Sequence, residues 1–513
     1  MRPRILLLAR EQVLHWVPLY RAAFARAADL ITAGPALDTA FLDQLGRSHL
    51  QTTHTPNDIV TDADAVAEIA AQLPPGWRPD LVVALQSAMH QYRDIAALTC
   101  PTAYISVDTW HDSEEFRATR AYDFVFAAQR VFLPYLAAGG AARVDWLPLA
   151  CDPAVHYPDG AAADHDIAFA GSLKYVVNQE RIRRLYRLRE RFSVFIKQDV
   201  GGDDLCRAFA RGKLAFNSAI SCDVNMRVFE VLAMGRPLLM NRDAAVNGLF
   251  DLFEDGRHLI TYGDDNLEQQ ARRYLEDDAA RAAIAKAGRE AVHNAHTYDH
   301  RVAALLDHVR AAIPAFGEPQ TNTPLLRTGG RLVDHLPSVP GHVLDIGLGL
   351  ERSKLALRRR GVERLEGVGR DAAQRERRAR SYDAVHAWPL PEARQAWDTV
   401  LWTAPFGYIP QPNRALDEAA HLLRDGGLLV LRLAPEEVRA ARLPLDPGPW
   451  DRWLYTHRFH LVHFEPPAEG QPWLVLAGRR YSRTLRGLTD AVYQRFPIPE
   501  EDPNITLPPE SAW

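Results

Sequence analysis

The sequence predicts an α/β protein built as three strand–helix units in tandem. Short apolar runs alternate with helical stretches along most of the chain, which favours parallel sheets covered on both faces. The pattern restarts twice, after Pro158-Asp159-Gly160 and after the segment Pro314–Thr328, which is poor in helix formers. The 513 residues suit about three domains at roughly 100–200 residues each. The expected division is 1–157, 158–313, a linker over 314–327, 328–483, and a Pro-rich, acidic tail over 484–513.

In the first unit, Arg4–Ala9 is expected as a strand and Glu11–Leu30 as an amphipathic helix. Asp80–Leu85, Thr102–Val107, Tyr122–Ala127 and Arg143–Leu149 are further expected strands, each bounded by polar residues or proline. In the second unit, the strand Asp166–Ala170 closes in Gly171-Ser172. A helix over Gln179–Arg191 follows, with strands at Phe192–Ile196, Leu214–Asn217 and Pro237–Met240. Asn225–Met234 reads as a helix stopped by Gly235, and three helical stretches end the unit near Asn266–Glu276, Asp278–His293 and Tyr298–Ile313. In the third, Gly341–Gly347 is a strand entering a glycine turn. Asp398–Leu401 and Gly427–Leu433 are strands, with a helix over Asn413–Leu423 between them. Phe459–Glu465 and Pro472–Gly478 are expected as an antiparallel pair. The Arg-rich stretch Arg352–Arg380 interleaves glutamates and an aspartate and lacks aromatic stacking partners, so it reads as solvated helices and not as a nucleic-acid surface.

Composition excludes several classes. Hydrophobic residues are 47% and charged residues 24%, which are ordinary globular values. The net charge of −5 gives no basic field for nucleic acid. No apolar run reaches the ~18–20 residues of a membrane span. Ile5–Ala9 is too short for the ~7–15-residue core of a signal peptide. A cytoplasmic protein is therefore expected, with peripheral membrane contact left open. None of the four cysteines (Cys100, Cys151, Cys206, Cys222) falls in a C-x-x-C pair, so neither a disulfide framework nor a zinc site is expected from them. Oligomeric state is not legible.

Tandem doubly wound units bind ligands in the cleft at the carboxyl ends of their strands. Phe216–Asp243 suits such a site. Ser221, Asp223 and Asn225 are good caps before a helix, Arg227 falls on its first turn, and Glu230 lies one turn deeper. A helix N-terminus offers free N–H groups to a diphosphate, an arginine can pair with its oxygens, and a carboxylate can accept from two ribose hydroxyls. Arg227 and Glu230 could also be an ordinary surface pair on one helix face.

The run Asn225-Met226-Arg227-Val228-Phe229-Glu230-Val231-Leu232-Ala233-Met234-Gly235-Arg236-Pro237 resembles the signature of spore-maturation CgeB-type glycosyltransferases. His165–Ser172, Thr297–Val302, Asp108–Asp112 and Trp146–Ala150 resemble further parts of that family, and the likeness covers about residues 1–313. The resemblance implies a GT-B fold of two Rossmann-like domains. It also implies transfer of a sugar from a nucleoside diphosphate, UDP or another, to a glycan or protein acceptor. No metal is expected, because helix dipole and basic side chains stabilise the leaving group. Glu230 would hold the ribose, Arg227 and Lys174 would face the diphosphate, and Gly171, Ser172 and Asn225 would line the donor site. The family's other glutamate, eight residues before the ribose-binding one, is Cys222 here. On the acceptor side, Asp108, His111 and Asp112 follow a strand and could supply a general base, or could form a capped loop.

The third unit resembles class I S-adenosylmethionine-dependent methyltransferases over about residues 328–480. Val343–Gly349 (VLDIGLG) resembles their first motif, and Trp397–Leu401 and Ala415–Val430 later ones. That likeness implies S-adenosylmethionine as a second ligand, held by Asp345, Gly347, Gly349 and Asp371. The third glycine of the motif is Glu351, and the ribose-binding acid is displaced, Gly369 standing where it belongs and Asp371 two positions later. The reading is thus a glycosyltransferase with a degenerate methyltransferase-like domain. Its alternatives are a bifunctional enzyme and a decayed scaffold of a surface-assembly complex.

Overall fold

The apolar runs fold as three sheets, each parallel at its centre. The computed structural model describes residues 2–44 (except 12, 14 and 15), 55–85, 92–109, 115–318 (except 174), 325–327, 332–350, 354–390, 394–404, 412–441, 445–468 and 474–482. The first sheet holds β1 (Arg4–Leu8), β2 (Asp29–Gly34), β3 (Ile59–Val60), β4 (Leu81–Leu85), β5 (Thr102–Ser106), β6 (Phe124–Ala127) and β7 (Val144–Trp146). Its order is β3-β2-β1-β4-β5-β6-β7, parallel throughout. Every residue of β4 and β5 is buried, as a sheet covered on both faces requires.

The second sheet holds β8 (His165–Ala170), β9 (Val194–Lys197), β10 (Gly212–Asn217), β11 (Leu238–Asn241) and β12 (Ile260–Tyr262), in the order β12-β11-β10-β8-β9. Its last helix, Tyr298–Ala312, crosses back to the first domain and packs on Trp16–Ala27, with Tyr298 4.8 Å from Tyr20. Arg301 on that helix is buried and donates to Pro148 O at 2.7 Å and Leu149 O at 3.1 Å, which ties the two domains together beside the chain crossing.

The third sheet holds β13 (Gly341–Ile346), β14 (Val362–Gly369), β15 (Ala384–Ala387), β16 (Trp397–Trp402), β17 (Leu423–Leu433), β18 (Phe459–Glu465) and β19 (Leu474–Arg480). Its order is β15-β14-β13-β16-β17-β19-β18, with β19 antiparallel to both neighbours. The fold class is the expected one: two Rossmann-like domains in GT-B arrangement, then a third of methyltransferase type.

Three expectations are corrected. The first helix is shorter than Glu11–Leu30. It ends at Ala27, and Asp29–Gly34 pairs with β1, because the β-branched Ile31 and Thr32 favour extended backbone over helix. Arg352–Arg380 is not helical throughout. Val362–Gly369 forms β14, with Val362, Leu365 and Val368 in the core, and solvated helices flank it. The expected linker is not a free spacer in its described part. Leu326 bridges Leu98, and the Arg327 guanidinium donates to Ala96 O at 3.0 Å and Leu336 O at 2.8 Å.

The third domain is also seated on the first. Ser482 N donates to Ala138 O at 3.0 Å. Gly426 has φ +73°, and a Cβ there would lie 2.0 Å from Ala141 O, so the two domains approach backbone to backbone.

Candidate active site in the interdomain cleft

Both strand order reversals direct their carboxyl ends to the same cleft. In the first sheet β1 lies between β2 and β4, and in the second β8 lies between β9 and β10. A cavity of about 200 Å³ opens there, lined by Asp108 of the first domain and by Gly171, Arg181, Asp223, Asn225 and Arg227 of the second. Gly171 closes β8, and a Cβ at this position would come 3.0 Å from the Phe169 ring. Ser172 lines the same wall, its carbonyl accepting from Arg181 Nη1 at 2.8 Å.

The helix Met226–Ala233 starts at this wall. Asn225 stands at its N-cap position without capping it; its Oδ1 accepts from Asn217 Nδ2 at 2.9 Å. The opening N–H groups therefore carry no side-chain cap, and Asn225, Met226 and Arg227 all line the cavity. Ser221 and Cys222, just before it, both adopt left-handed backbone (φ +50° and +56°). Such strain at two successive non-glycine residues marks a segment whose shape is imposed by its surroundings. Asn247 helps to impose it, donating to Cys222 O at 2.9 Å and accepting from Val131 N of the first domain at 3.1 Å.

Glu230 lies one layer behind the cavity wall and is 4% exposed. Arg227 Nη1 donates to its Oε2 at 2.5 Å, and His156 Nε2 lies 3.3 Å from its Oε1. Burial alone would raise this carboxyl, but Arg227 and His156 outweigh burial and hold it down to about 2. Nδ1 of His156 accepts from Asp152 N at 3.1 Å, which fixes the tautomer with the proton on Nε2, facing Glu230. His156 belongs to the connection between the two domains, so the pair is held from the hinge.

Arg181 is a functional candidate that the sequence reading passed over. It is 7% exposed, lines the cavity, and donates through Nε to Ser218 O at 2.9 Å. Burial, then the charge of Arg227, lowers its pKa to about 10. Two guanidinium groups thus share one cavity wall with an uncapped helix start, an arrangement suited to a diphosphate. The available signal was an arginine on the second turn of the helix that follows a strand–glycine turn.

Across the cleft, Asp108 follows β5 with left-handed backbone (φ +58°). Asp223 is 6% exposed, and its Oδ1 has no hydrogen-bond partner among the described residues. Burial, then the charge of Asp108, raises the Asp223 carboxyl to about 8. Asp223 is therefore held in its protonated form at neutral pH. His111, Asp112 and Lys174 lie outside the described residues.

In the third domain, Asp345 is fully buried. It accepts from Thr403 Oγ1 at 2.5 Å, the Tyr382 hydroxyl at 2.5 Å and Leu350 N at 3.1 Å. Gly347 and Gly349 form the turn after β13, and a Cβ at Gly349 would lie 2.7 Å from Thr403 Cβ. A Cβ at Gly369 would meet Leu348 Cδ1 at 2.5 Å, so a leucine side chain covers the end of β14. Asp371 caps the following helix, accepting from Ala373 N at 3.0 Å. These residues do not fit S-adenosylmethionine. No carboxylate stands at Gly369 for the ribose, and Asp345 is already occupied by protein donors.

Part of the chain is similar to known proteins. Residues 161–307 match the glycosyl transferase-like family. That match contains Gly171, Arg181, Asp223 and Arg227, which line the second domain's side of the cavity, and Glu230 behind them. HepE from Anabaena, solved in complex with UDP, is 13% identical with TM-score 0.42, covering 60% of this chain and 100% of that one. Sucrose-phosphate synthase from Thermosynechococcus elongatus is 14% identical with TM-score 0.40, covering 61% and 100%. An S-adenosylmethionine-dependent methyltransferase from Mesorhizobium loti is 16% identical with TM-score 0.25, covering 29% of this chain and 95% of that one. No curated protein matches the chain.

Proposed function

We propose that the chain transfers a sugar from a nucleoside diphosphate to an acceptor hydroxyl in the cleft between its first two domains. The observation that carries this reading is the shared wall of Arg181, Arg227 and an uncapped helix start, facing Asp108 across one cavity. The diphosphate binds at the two guanidiniums and the helix N-terminus, which stabilise its charge as the bond to the sugar breaks. Arg227 leaves Glu230 for the diphosphate, and the freed Glu230 oxygen accepts from the ribose. The Asp108 carboxylate takes the proton of the acceptor hydroxyl as that oxygen bonds to the sugar's anomeric carbon, and the nucleoside diphosphate departs with the electron pair of the broken bond. His111, Asp112 and Lys174 belong to this proposed machinery by sequence alone. The donor is a nucleotide sugar, the acceptor a glycan or glycoprotein, and the finer likeness is to the CgeB type. Four unpaired cysteines accord with a reducing cytoplasm. The third domain does not transfer methyl groups and serves as a companion domain seated on the first.

The test is a thermal-shift panel of nucleoside diphosphates and their sugars on the full chain. One nucleotide family should stabilise it by ~2.7 kcal/mol at about 100 times its dissociation constant. Absence of any shift, under conditions where a known glycosyltransferase responds, favours the scaffold reading.

A further inference from the structure

The seam between the third domain and the first holds a second cluster of chemistry-bearing side chains. His335 closes the short 3-10 helix Leu332–His335, just after the docked linker. His463 and Glu465 are two apart on β18, so they share one face of that edge strand. One ligand atom from each of the three lies within 4.8 Å of the others. Glu465 Oε2 is 3.3 Å from His335 Nε2 and 3.7 Å from His463 Nε2. A tetrahedral ion with bonds of about 2.0–2.1 Å separates its ligand atoms by about 3.3–3.5 Å. Two of the three edges are therefore close to that size as the chain stands.

Hydrogen bonding does not account for the place of His463. At 3.7 Å the His463–Glu465 contact is too long for a hydrogen bond, and His463 Nε2 is buried without a partner among the described residues. We infer that His335, His463 and Glu465 bind a divalent zinc-type cation that ties the segment entering the third domain to that domain's edge strand β18.

A cavity of about 30 Å³ adjoins the cluster, lined by His335, His463, Arg327, Arg479, Asp123 and Leu98. That is room for one water as a fourth ligand. Arg327 and Arg479 oppose a cation there, while Asp123 and Glu465 favour it. Arg327 directs its donors to the carbonyls of Ala96, Leu98, Asp334 and Leu336, and Arg479 Nη1 to Gly426 O. With a single carboxylate, the site suits an imidazole-binding ion. It does not suit magnesium or calcium, which depend on several oxygen ligands.

The experiment measures metal content of the purified full chain by mass spectrometry, after incubation with zinc and exhaustive dialysis. About one zinc per chain is expected in the wild type. His463→Ala and Glu465→Gln, both checked for folding by circular dichroism, should lose it. Cobalt(II) added to the zinc-free chain should give the visible absorption of a tetrahedral site, and a chelator should lower the melting temperature of wild type but not of the variants. Less than a tenth of a zinc per folded wild-type chain overturns the proposal. So does full retention of zinc by a folded His463→Ala chain.

Discussion

Arg227 and Glu230 form a 2.5 Å ion pair inside the second domain, with the arginine on the cavity wall and the carboxylate behind it. The two side chains expected to hold opposite ends of a nucleotide hold each other instead in the free chain. On the proposed reading, nucleotide binding exchanges one partner of Arg227 for another. Arg227→Ala should weaken nucleoside-diphosphate affinity by ~10–100-fold, the range of a charge-assisted hydrogen bond worth about 1.5–3 kcal/mol. The Arg227→Ala/Glu230→Gln double variant should fall short of the sum of the singles by at least ~0.5 kcal/mol, measured by calorimetry. Strict additivity would disprove the exchange.

Glu230→Ala should also cost stability, which its burial makes unavoidable. Removing one partner of a buried pair costs about 3–5 kcal/mol, because Arg227 would lose its counter-charge. Glu230→Gln keeps the shape and is the better probe of binding. A denaturant midpoint for Glu230→Ala equal to wild type would show that the pair contributes nothing.

Asp223 should give a pH signature of the opposite sign to Glu230. Its folded pKa, about 8, lies above the ordinary aspartate value of 3.8, so the folded chain binds the extra proton between those values. Stability therefore falls as pH rises from about 4 to about 8 through this group. Asp223→Asn should be more stable than wild type at pH 8, by an order of a few kcal/mol, and the gain should vanish below pH ~4. Melting curves across that range check it; a pH-independent difference would refute it.

Asp108→Asn should lower kcat by about 10²–10⁴-fold with little change in donor KM, if Asp108 is the base. Steady-state rates with a matched donor read the split. An unchanged kcat would remove Asp108 from the chemistry.

Gly426→Ala should loosen the third domain. Its φ of +73° and the 2.0 Å approach to Ala141 O leave no room for a methyl group. A lower unfolding temperature is expected from the seam, with nucleotide affinity unchanged because the cleft lies elsewhere. Wild-type stability in this variant would contradict the close packing.

Much of the fold was legible because apolar runs bounded by Gly, Pro and polar residues repeat in strand–helix order. β8, β13 and β18 were found for that reason. β2 and β14 were obscured, since DLITAG runs on from a helix and VERLEGVG lies among arginines; long-range pairing decided both. In the site, Asn225, Arg227 and Glu230 were legible from one helix start. Arg181 was not, because it reaches the cavity from another helix, and Asp223 stood out only as a cap.

The sequence alone determined the repeated α/β architecture, and it offered a helix start whose residues resemble those of glycosyltransferases. These properties are local, fixed by periodicity, capping and turn chemistry. Only the tertiary structure decided that Glu230 is engaged by Arg227 and His156, and that Asp108 and Asp223 share a cavity. It alone showed Leu348 covering Gly369 and His335 meeting His463 and Glu465 at the domain seam. Each of these depends on residues far apart in sequence, and burial and charge at such meetings set the chemistry that no single segment carries.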